Sequence, residues 1–250
     1  MKSKMSLIFL VVFCFSLSAF SQDAGELISK ADKLYLEMKD MATANEALDD
    51  YKKALESAAD KYEAYWKISR ILYFIGFHTE SKKEKKVIFA QGIDYATKAI
   101  GLEPEKSDGH YWLGVNNGKY GEAKGILKSL ALVKPIKRSM NKVIELDHSY
   151  EDGGPDRVLG RVFFKVPGFA GGSKKKSLEH LLKSKELGPE DALTRIYLAD
   201  TFLSLKEVEK ARQELEYVLS MEPDPKWVSG VDECKVEAKQ LLEKKKFKTS

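Results

Sequence analysis

Apolar positions recur along this chain at helical spacing almost from end to end, and they come in pairs of short segments. Between residues 192 and 224, Tyr197, Leu198, Ala199 and Phe202 share one helical face, and Lys206 falls at a turn. Ala211, Leu215, Val218 and Leu219 then share a second face, closed by Met221-Glu222-Pro223. Twelve residues separate Ala199 from Ala211, twelve separate Ala211 from Pro223, and Pro189 precedes Pro223 by 34. Small residues at such places let two antiparallel helices cross closely. Proline ends the second helix because it lacks the backbone donor and crowds the preceding turn.

This is the tetratricopeptide period, and it repeats upstream with added length. Leu113-Gly114 fits a first-helix crossing; Ala99, Ile100, Leu102, Glu103 and Pro104 fit the end of a second helix; Ile144-Glu145-Leu146-Asp147 repeats that ending, with His148 in place of proline. Ala47, Tyr51 and Ala54 mark the second helix of the first unit, and Trp66, Ile68, Leu72 and Gly76 the first helix of the next. The closing positions fall at 104, 148, 189 and 223, so the middle units are longer than the standard one. The extra length is expected as a charged insertion over Phe77–Lys86, an apolar extension over Lys119–Pro135, and a turn at Pro167-Gly168-Phe169-Ala170-Gly171-Gly172. Val231, Cys234, Ala238, Leu241 and Leu242 form a last apolar stripe, predicting a helix that covers the open end of the stack. No segment alternates with strand period. The prediction is therefore all-α: a tetratricopeptide-type α-solenoid of about five helical hairpins with a C-terminal capping helix.

The N-terminus departs from this pattern. Lys2 and Lys4 precede an almost unbroken apolar run from Met5 to Phe20, and Ala19-Phe20-Ser21 supplies small residues for cleavage. The run is short for a membrane span, so residues 1–21 read as a secretory signal peptide and 22–250 as one helical repeat domain. Cys14 follows Phe13 rather than a small residue, which argues against lipid attachment; the expected location is periplasmic, without a lipid anchor. Composition then changes little. The formal net charge is +4, and removing a signal with two lysines and no acid leaves it near zero. The lysine runs at 82–86, 174–176 and 244–246 lie on or beside helical patterns without interleaved aromatics. They read as solvated helix faces, with no nucleic acid expected as partner.

Catalytic chemistry has little to stand on. Gly168 would need a glycine at 173 to begin a phosphate-binding loop, and Ser173 is there. The histidines at 78, 110, 148 and 180 lie 30 or more residues apart in sequence, without metal-ligand spacing. Asp147, Glu151, Asp152 and Asp156 around Gly153-Gly154-Pro155 lack the calcium-loop order and read as capping and turn chemistry. Cys234 sits on an apolar stripe, as a small buried hydrophobe would. No catalytic residue, metal or cofactor is expected. One constellation stands out: Tyr111, Trp112, Asn116, Asn117 and Tyr120, followed by Lys137, Arg161 and Phe164. Adjacent asparagines are poor mid-helix residues. Beside large aromatics and downstream cations they would suit a ligand with an apolar body and an anionic head. The same residues would equally serve as packing between repeats, with the asparagines capping a broken helix.

The order Tyr111-Trp112-Leu113-Gly114, Lys134-Pro135-Ile136, Glu145-Leu146-Asp147, Glu151-Asp152-Gly153-Gly154, Arg157-Val158-Leu159-Gly160-Arg161 and Pro167-Gly168 with Gly171-Gly172 resembles the T component of TRAP transporters (TatT), over about residues 45–225. The resemblance implies a periplasmic helical-repeat protein, non-enzymatic, with a pore or cleft through the protomer. It also implies a homotrimer, association with the transporter's substrate-binding protein, and a small hydrophobic organic acid as cargo. It supplies no motif for ligand residues. The alternative is a general protein-interaction scaffold that holds a partner in its groove.

Overall fold

The computed structural model describes residues 24–38, 40–58, 60–222, 228–243 and 247; the expected signal peptide lies outside them. Among the described residues every regular element is helical. The first helix, α1, covers residues 24–36. It is followed by α2 (Met41–Ser57), α3 (Tyr62–His78), α4 (Lys82–Leu102), α5 (Ser107–Lys124), α6 (Val133–Leu146), α7 (Tyr150–Lys165), α8 (Lys174–Leu187), α9 (Ala192–Ser204), α10 (Val208–Ser220) and α11 (Val228–Leu242). Short 3-10 segments cover Ile126–Leu132 and Gly168–Ala170.

Neighbouring helices pair as hairpins, and the first helix of each hairpin also packs on the first helix of the next: α3 on α5, α5 on α7, α7 on α9, α9 on α11. That second set of contacts makes a solenoid. The odd-numbered helices line its inner surface and the even-numbered ones its outer surface.

The crossing residues explain the close approach. Ala199 and Ala211 are fully buried where α9 meets α10. A Cβ on Gly160 would stand 2.5 Å from Leu181 of α8, and one on Gly114 would run into the Met140 methyl of α6. The apolar core divides into three clusters along the stack, centred on Tyr51 and Ile68, on Met140 and Leu159, and on Ile196 and Leu215. α11 closes the last of these with Val231, Cys234, Ala238 and Leu241. Side-chain caps fix several starts: Asp40, Ser81, Ser173 and Asp191 each accept from a backbone N–H in the first turn of the following helix.

The added length of the middle units is distributed differently from the sequence expectation. No insertion separates α3 from α4; only residues 79–81 lie between them. The extra residues are extra helical turns, with 17 residues in α3 and 21 in α4 against 13 in each of α9 and α10. Lysine and glutamate are good helix formers, and Ser81 with Glu84 supplies a capping pair, so the charged stretch continues the helix. The expected turn after Val166 is present, with Gly171 in the left-handed region at φ 89°.

The start of α7 holds the least ordinary backbone. Glu151, Asp152 and Gly153 are consecutively left-handed, at φ 49°, 54° and 74°, before Pro155 enters the right-handed helix. Two non-glycine residues there cost about 1–3 kcal/mol each, and tight packing holds them. A Cβ on Gly153 would lie 2.9 Å from the Ser184 Cα, and one on Gly188 would lie 2.5 Å from the Asp152 carbonyl oxygen. The C-terminal end of α8 thus clamps the turn.

Candidate functional site: the inner cavity

The solenoid curls far enough to form a deep, partly open cavity of about 1290 Å³ on its inner surface. Most of its wall comes from the first helices, with Thr43 of α2, Val133 and Ile136 of α6, Leu187 of α8 and the connection at 188–191 beside them. α1 contributes Tyr35; α3 Tyr73, Phe74 and Phe77; α5 Tyr111, Trp112, Val115 and Lys119; α7 Arg157, Val158, Arg161, Val162 and Lys165; α9 Leu193 and Tyr197; and α11 Val231 and Cys234. Ile126, Ser129, Leu130 and Leu132 of the first 3-10 segment add to it. On α5 and α7 these positions follow one helical face, at 111/112, 115 and 119 and at 157/158, 161/162 and 165. At the rim, His78 Nε2 of α3 lies 2.5 Å from Glu233 Oε1 of α11.

The wall is mainly aromatic and aliphatic, but Glu37, Asp40, Glu190, Glu222, Glu233 and Glu237 also line it, and two further polar regions lie at the ends of α7. One lies at the C-terminal end of α7. Lys119 pairs with Glu122 at 3.3 Å, and Arg161 with Asp200 at 2.7 Å. Lys165 has no carboxylate partner among the described residues; burial, and then the nearby Arg161 guanidinium, hold its ammonium below the usual lysine range. This region therefore carries one more positive charge than negative. Two donors of wall residues, the Trp112 indole N–H and the Arg161 Nε–H, have no protein acceptor.

The other polar region surrounds the left-handed turn. Arg157 donates to the Tyr111 hydroxyl at 3.0 Å and pairs with Asp191 at 2.9 Å. Glu151 lies nearby, its carboxyl held above the usual carboxylate range by burial, against the opposing charges of Arg157 and Arg70. Burial pushes the Tyr35 phenol up to about 12, so it stays neutral. The Cys234 thiol is likewise pushed up to about 12, mainly by burial, which makes it a poor nucleophile at neutral pH. Among the described residues no group of histidine, cysteine and carboxylate side chains could hold a metal ion, and no helix is long and apolar enough to cross a membrane.

The sequence-predicted residues separate into distinct places. Tyr111, Trp112 and Arg161 are in the cavity wall. Asn116 is fully buried between helices, where its amide donates to the Ser69 hydroxyl at 3.1 Å and Ser69 in turn donates to the Gly92 carbonyl at 2.8 Å. This relay joins α5, α3 and α4, and α5 runs unbroken through both asparagines. Asn117 turns back to the Leu113 carbonyl. Tyr120 borders a shallow depression with Lys83, Lys86 and Val87 of α4. Lys137 sits 3.9 Å over the Phe163 ring, and Phe164 stacks beneath Lys174 at 3.5 Å, both outside the cavity wall. Tyr35, Tyr73, Lys119, Lys165, Glu151 and Tyr197 lie in the wall and are not among the ligand residues the sequence predicts; Tyr197 is expected there as a repeat-face residue and Glu151 as turn chemistry. The signal that finds them is their helical register with Trp112 and Arg161 on first helices. Two widely spaced histidines also converge: Asp156 receives His148 Nε2 and His180 Nδ1, each at 2.6 Å.

An inner cavity walled by the first helices of stacked hairpins defines an all-helical tetratricopeptide protein. A thermophilic tetratricopeptide protein of Thermus thermophilus shares the fold, with a TM-score of 0.66 at 14% identity over 88% of this chain and 98% of that one. The chain belongs to the TRAP transporter T-component family, whose model matches residues 101–246, and to the family of regulators of microtubule dynamics proteins 1-3, whose model matches residues 27–166. The two matches overlap across α5, α6 and α7, and α5 and α7 carry every lysine and arginine of the described cavity wall. Among curated proteins the chain is similar to regulator of microtubule dynamics protein 1 of Mus musculus, at 28% identity over 49% of this chain and 38% of that protein. It is also similar to regulator of microtubule dynamics protein 3 of Rattus norvegicus, at 26% over 60% and 35%. The chain spans little more than a third of the length of these relatives.

Proposed function

We propose that this chain is a non-enzymatic binding protein, exported after loss of residues 1–21, that holds a small hydrophobic organic acid in its inner cavity. In this reading it works beside a TRAP-type transporter in the periplasm, where it meets the substrate-binding protein, and residues 22–250 form one domain that assembles as a homotrimer. One observation supports the ligand class above the others. Lys165, a cation without a carboxylate partner among the described residues, stands with Lys119 and Arg161 beside aromatic and aliphatic side chains, in a wall whose other charged groups, Arg157 and the titratable His78 apart, are carboxylates. A ligand's carboxylate would supply the missing charge, and its apolar body would cover the rings of Tyr73, Trp112 and Tyr197.

Titration with a medium-chain carboxylate, read by tryptophan fluorescence and by native mass spectrometry, tests this. Trp112 lies in the wall, so its emission is expected to change on binding. Lys165→Ala is expected to weaken carboxylate binding about tenfold, the scale of a lost charge-assisted contact, and to leave the thermal midpoint of the free protein unchanged.

The exposed Phe169 and Leu127, 83% and 68% accessible on the two 3-10 segments that begin beside the cavity wall, favour a second reading as a protein-interaction scaffold. Saturable carboxylate binding that Lys165→Ala weakens decides for the first. Capture of a periplasmic protein with no binding of carboxylate decides for the second.

A further inference from the structure

Glu151 is placed where chain conformation and electrostatics both disfavour it. A bulky side chain rarely occupies the left-handed region, and a half-buried carboxylate keeps only part of its hydration. The clamp by Gly153 and Gly188 nonetheless holds it at the cavity. The neighbouring cations are already engaged. Arg157 is bound to Tyr111 and Asp191, and it reaches Glu151 only at the backbone carbonyl, at 3.5 Å. Arg70 is bound to Asp32 at 3.1 Å and to the Tyr51 hydroxyl at 3.0 Å, and it stacks on Tyr35 at 3.8 Å. Asp108 accepts from the Tyr62 and Tyr150 hydroxyls. Among the described residues the Glu151 side chain has no hydrogen bond or ion pair. Arg157 is balanced by Asp191, and Arg70 and Lys67, which share Asp32, are balanced by Asp32 and Glu63 together, so Glu151 and the adjacent Asp152 leave this end of the cavity negative.

The opposite end, at Lys165 and Arg161, is positive. Gly154 and Lys165 lie eleven residues apart on one helix, so the two ends stand roughly 16 Å apart by helical rise. Aromatic and aliphatic side chains lie between them. Tyr35 and Tyr111 stand close enough to Glu151 to feel its charge. A carboxylate beside tyrosine rings is a receptor for an ammonium group.

We propose that Glu151 is a second polar anchor of the cavity and that the ligand is an elongated amphipathic amino acid. Its ammonium sits at Glu151, its apolar chain lies against the aromatic wall, and its carboxylate sits at Lys165 and Arg161. This rests on the reading of the cavity as an acid-binding site and adds the chemistry of the ligand's other end.

The test compares ω-aminododecanoate with dodecanoate, titrated into the full chain at neutral pH by calorimetry. The wild type is expected to bind the amino acid about tenfold more tightly, the scale of one charge-assisted contact. Glu151→Gln is expected to abolish that preference while leaving dodecanoate affinity within about twofold. Glu151→Asn is expected to do the same and suits the left-handed backbone, so a folding defect in the glutamine variant does not decide the outcome. Equal binding of both compounds by the wild type overturns the proposal and leaves the acid-binding reading standing. A preference that survives in both variants also overturns it. Binding of neither compound overturns the proposal and the acid-binding reading together.

Discussion

Asn116 and Gly153 show how single residues carry constraints that composition hides. Asn116 is a poor helix former in mid-helix, yet its amide enters a buried relay through Ser69 to Gly92 and ties three helices together. The absence of a side chain at Gly92 gives that amide its room, since a Cβ there would lie 2.5 Å from the Asn116 Oδ1. Gly153 combines a φ of 74° with contact against the α8 backbone, so any side chain is both strained and obstructed. Gly153→Ala is expected to destabilise the fold by more than about 2 kcal/mol, the range of a substitution that joins backbone strain to overpacking. Chemical denaturation checks it; a loss within about 0.5 kcal/mol, typical of a neutral surface change, would contradict the clamp described here.

At the scale of elements, the junction of α6, α7 and α8 is held by one carboxylate. Asp156 is buried on the first right-handed turn of α7 and receives His148 from the preceding loop and His180 from α8. Burial alone would raise its proton affinity; the bonds from His180 and His148 more than offset this and hold it below the ordinary 3.8. A carboxylate depressed in the folded state contributes stability above its unfolded value and loses it as pH falls through the folded one. Wild-type stability is therefore expected to drop as pH falls below about 3.8. Asp156→Asn is expected to be less stable near neutrality and to lose less over that acid range, as urea denaturation at several pH values would show. The two histidines lie 32 residues apart in sequence, and only the packing of α7 on α8 brings them to one oxygen pair.

At the scale of the whole molecule, one contact across the cavity rim, between α3 and α11, carries a titratable group. The hydrogen bond to Glu233 raises the His78 proton affinity above its ordinary 6.5, against an opposing effect of burial. A group raised in the folded state contributes stability fully below its unfolded value and loses it as pH rises through the folded one. Closure of the rim is thus expected to weaken as pH rises above about 6.5. Ligand release measured by stopped flow is expected to accelerate over that range in the wild type. In His78→Gln it is expected to be fast throughout, and a pH-independent rate in the wild type would refute the rim contact as a control on exit.

The repeat was legible because its determinants are local. Helical periodicity, small crossing residues such as Ala199 and Ala211, and terminators such as Pro104 and Pro189 act within a few residues of themselves. They specify hairpins wherever they recur. The inner aromatics Tyr111 and Trp112 were legible for the same reason, as large residues on a first helix. What faces the cavity was not. Lys119, Lys165, Tyr35 and Glu151 become one wall only because successive hairpins rotate against one another until α3 and α11 touch at His78 and Glu233, a sum of small angles that no local window contains. The length of α3 and α4 was misjudged because charged helix formers extend a helix as readily as they fill a loop. The tertiary structure also decided the fate of the asparagines, since burial turns a polar mid-helix residue into an interhelical tie once three backbones supply its partners. Sequence by itself determined the class of helix and the order of the stack; curvature alone decided which charges share the cavity, because electrostatics depends on distance in space and not along the chain.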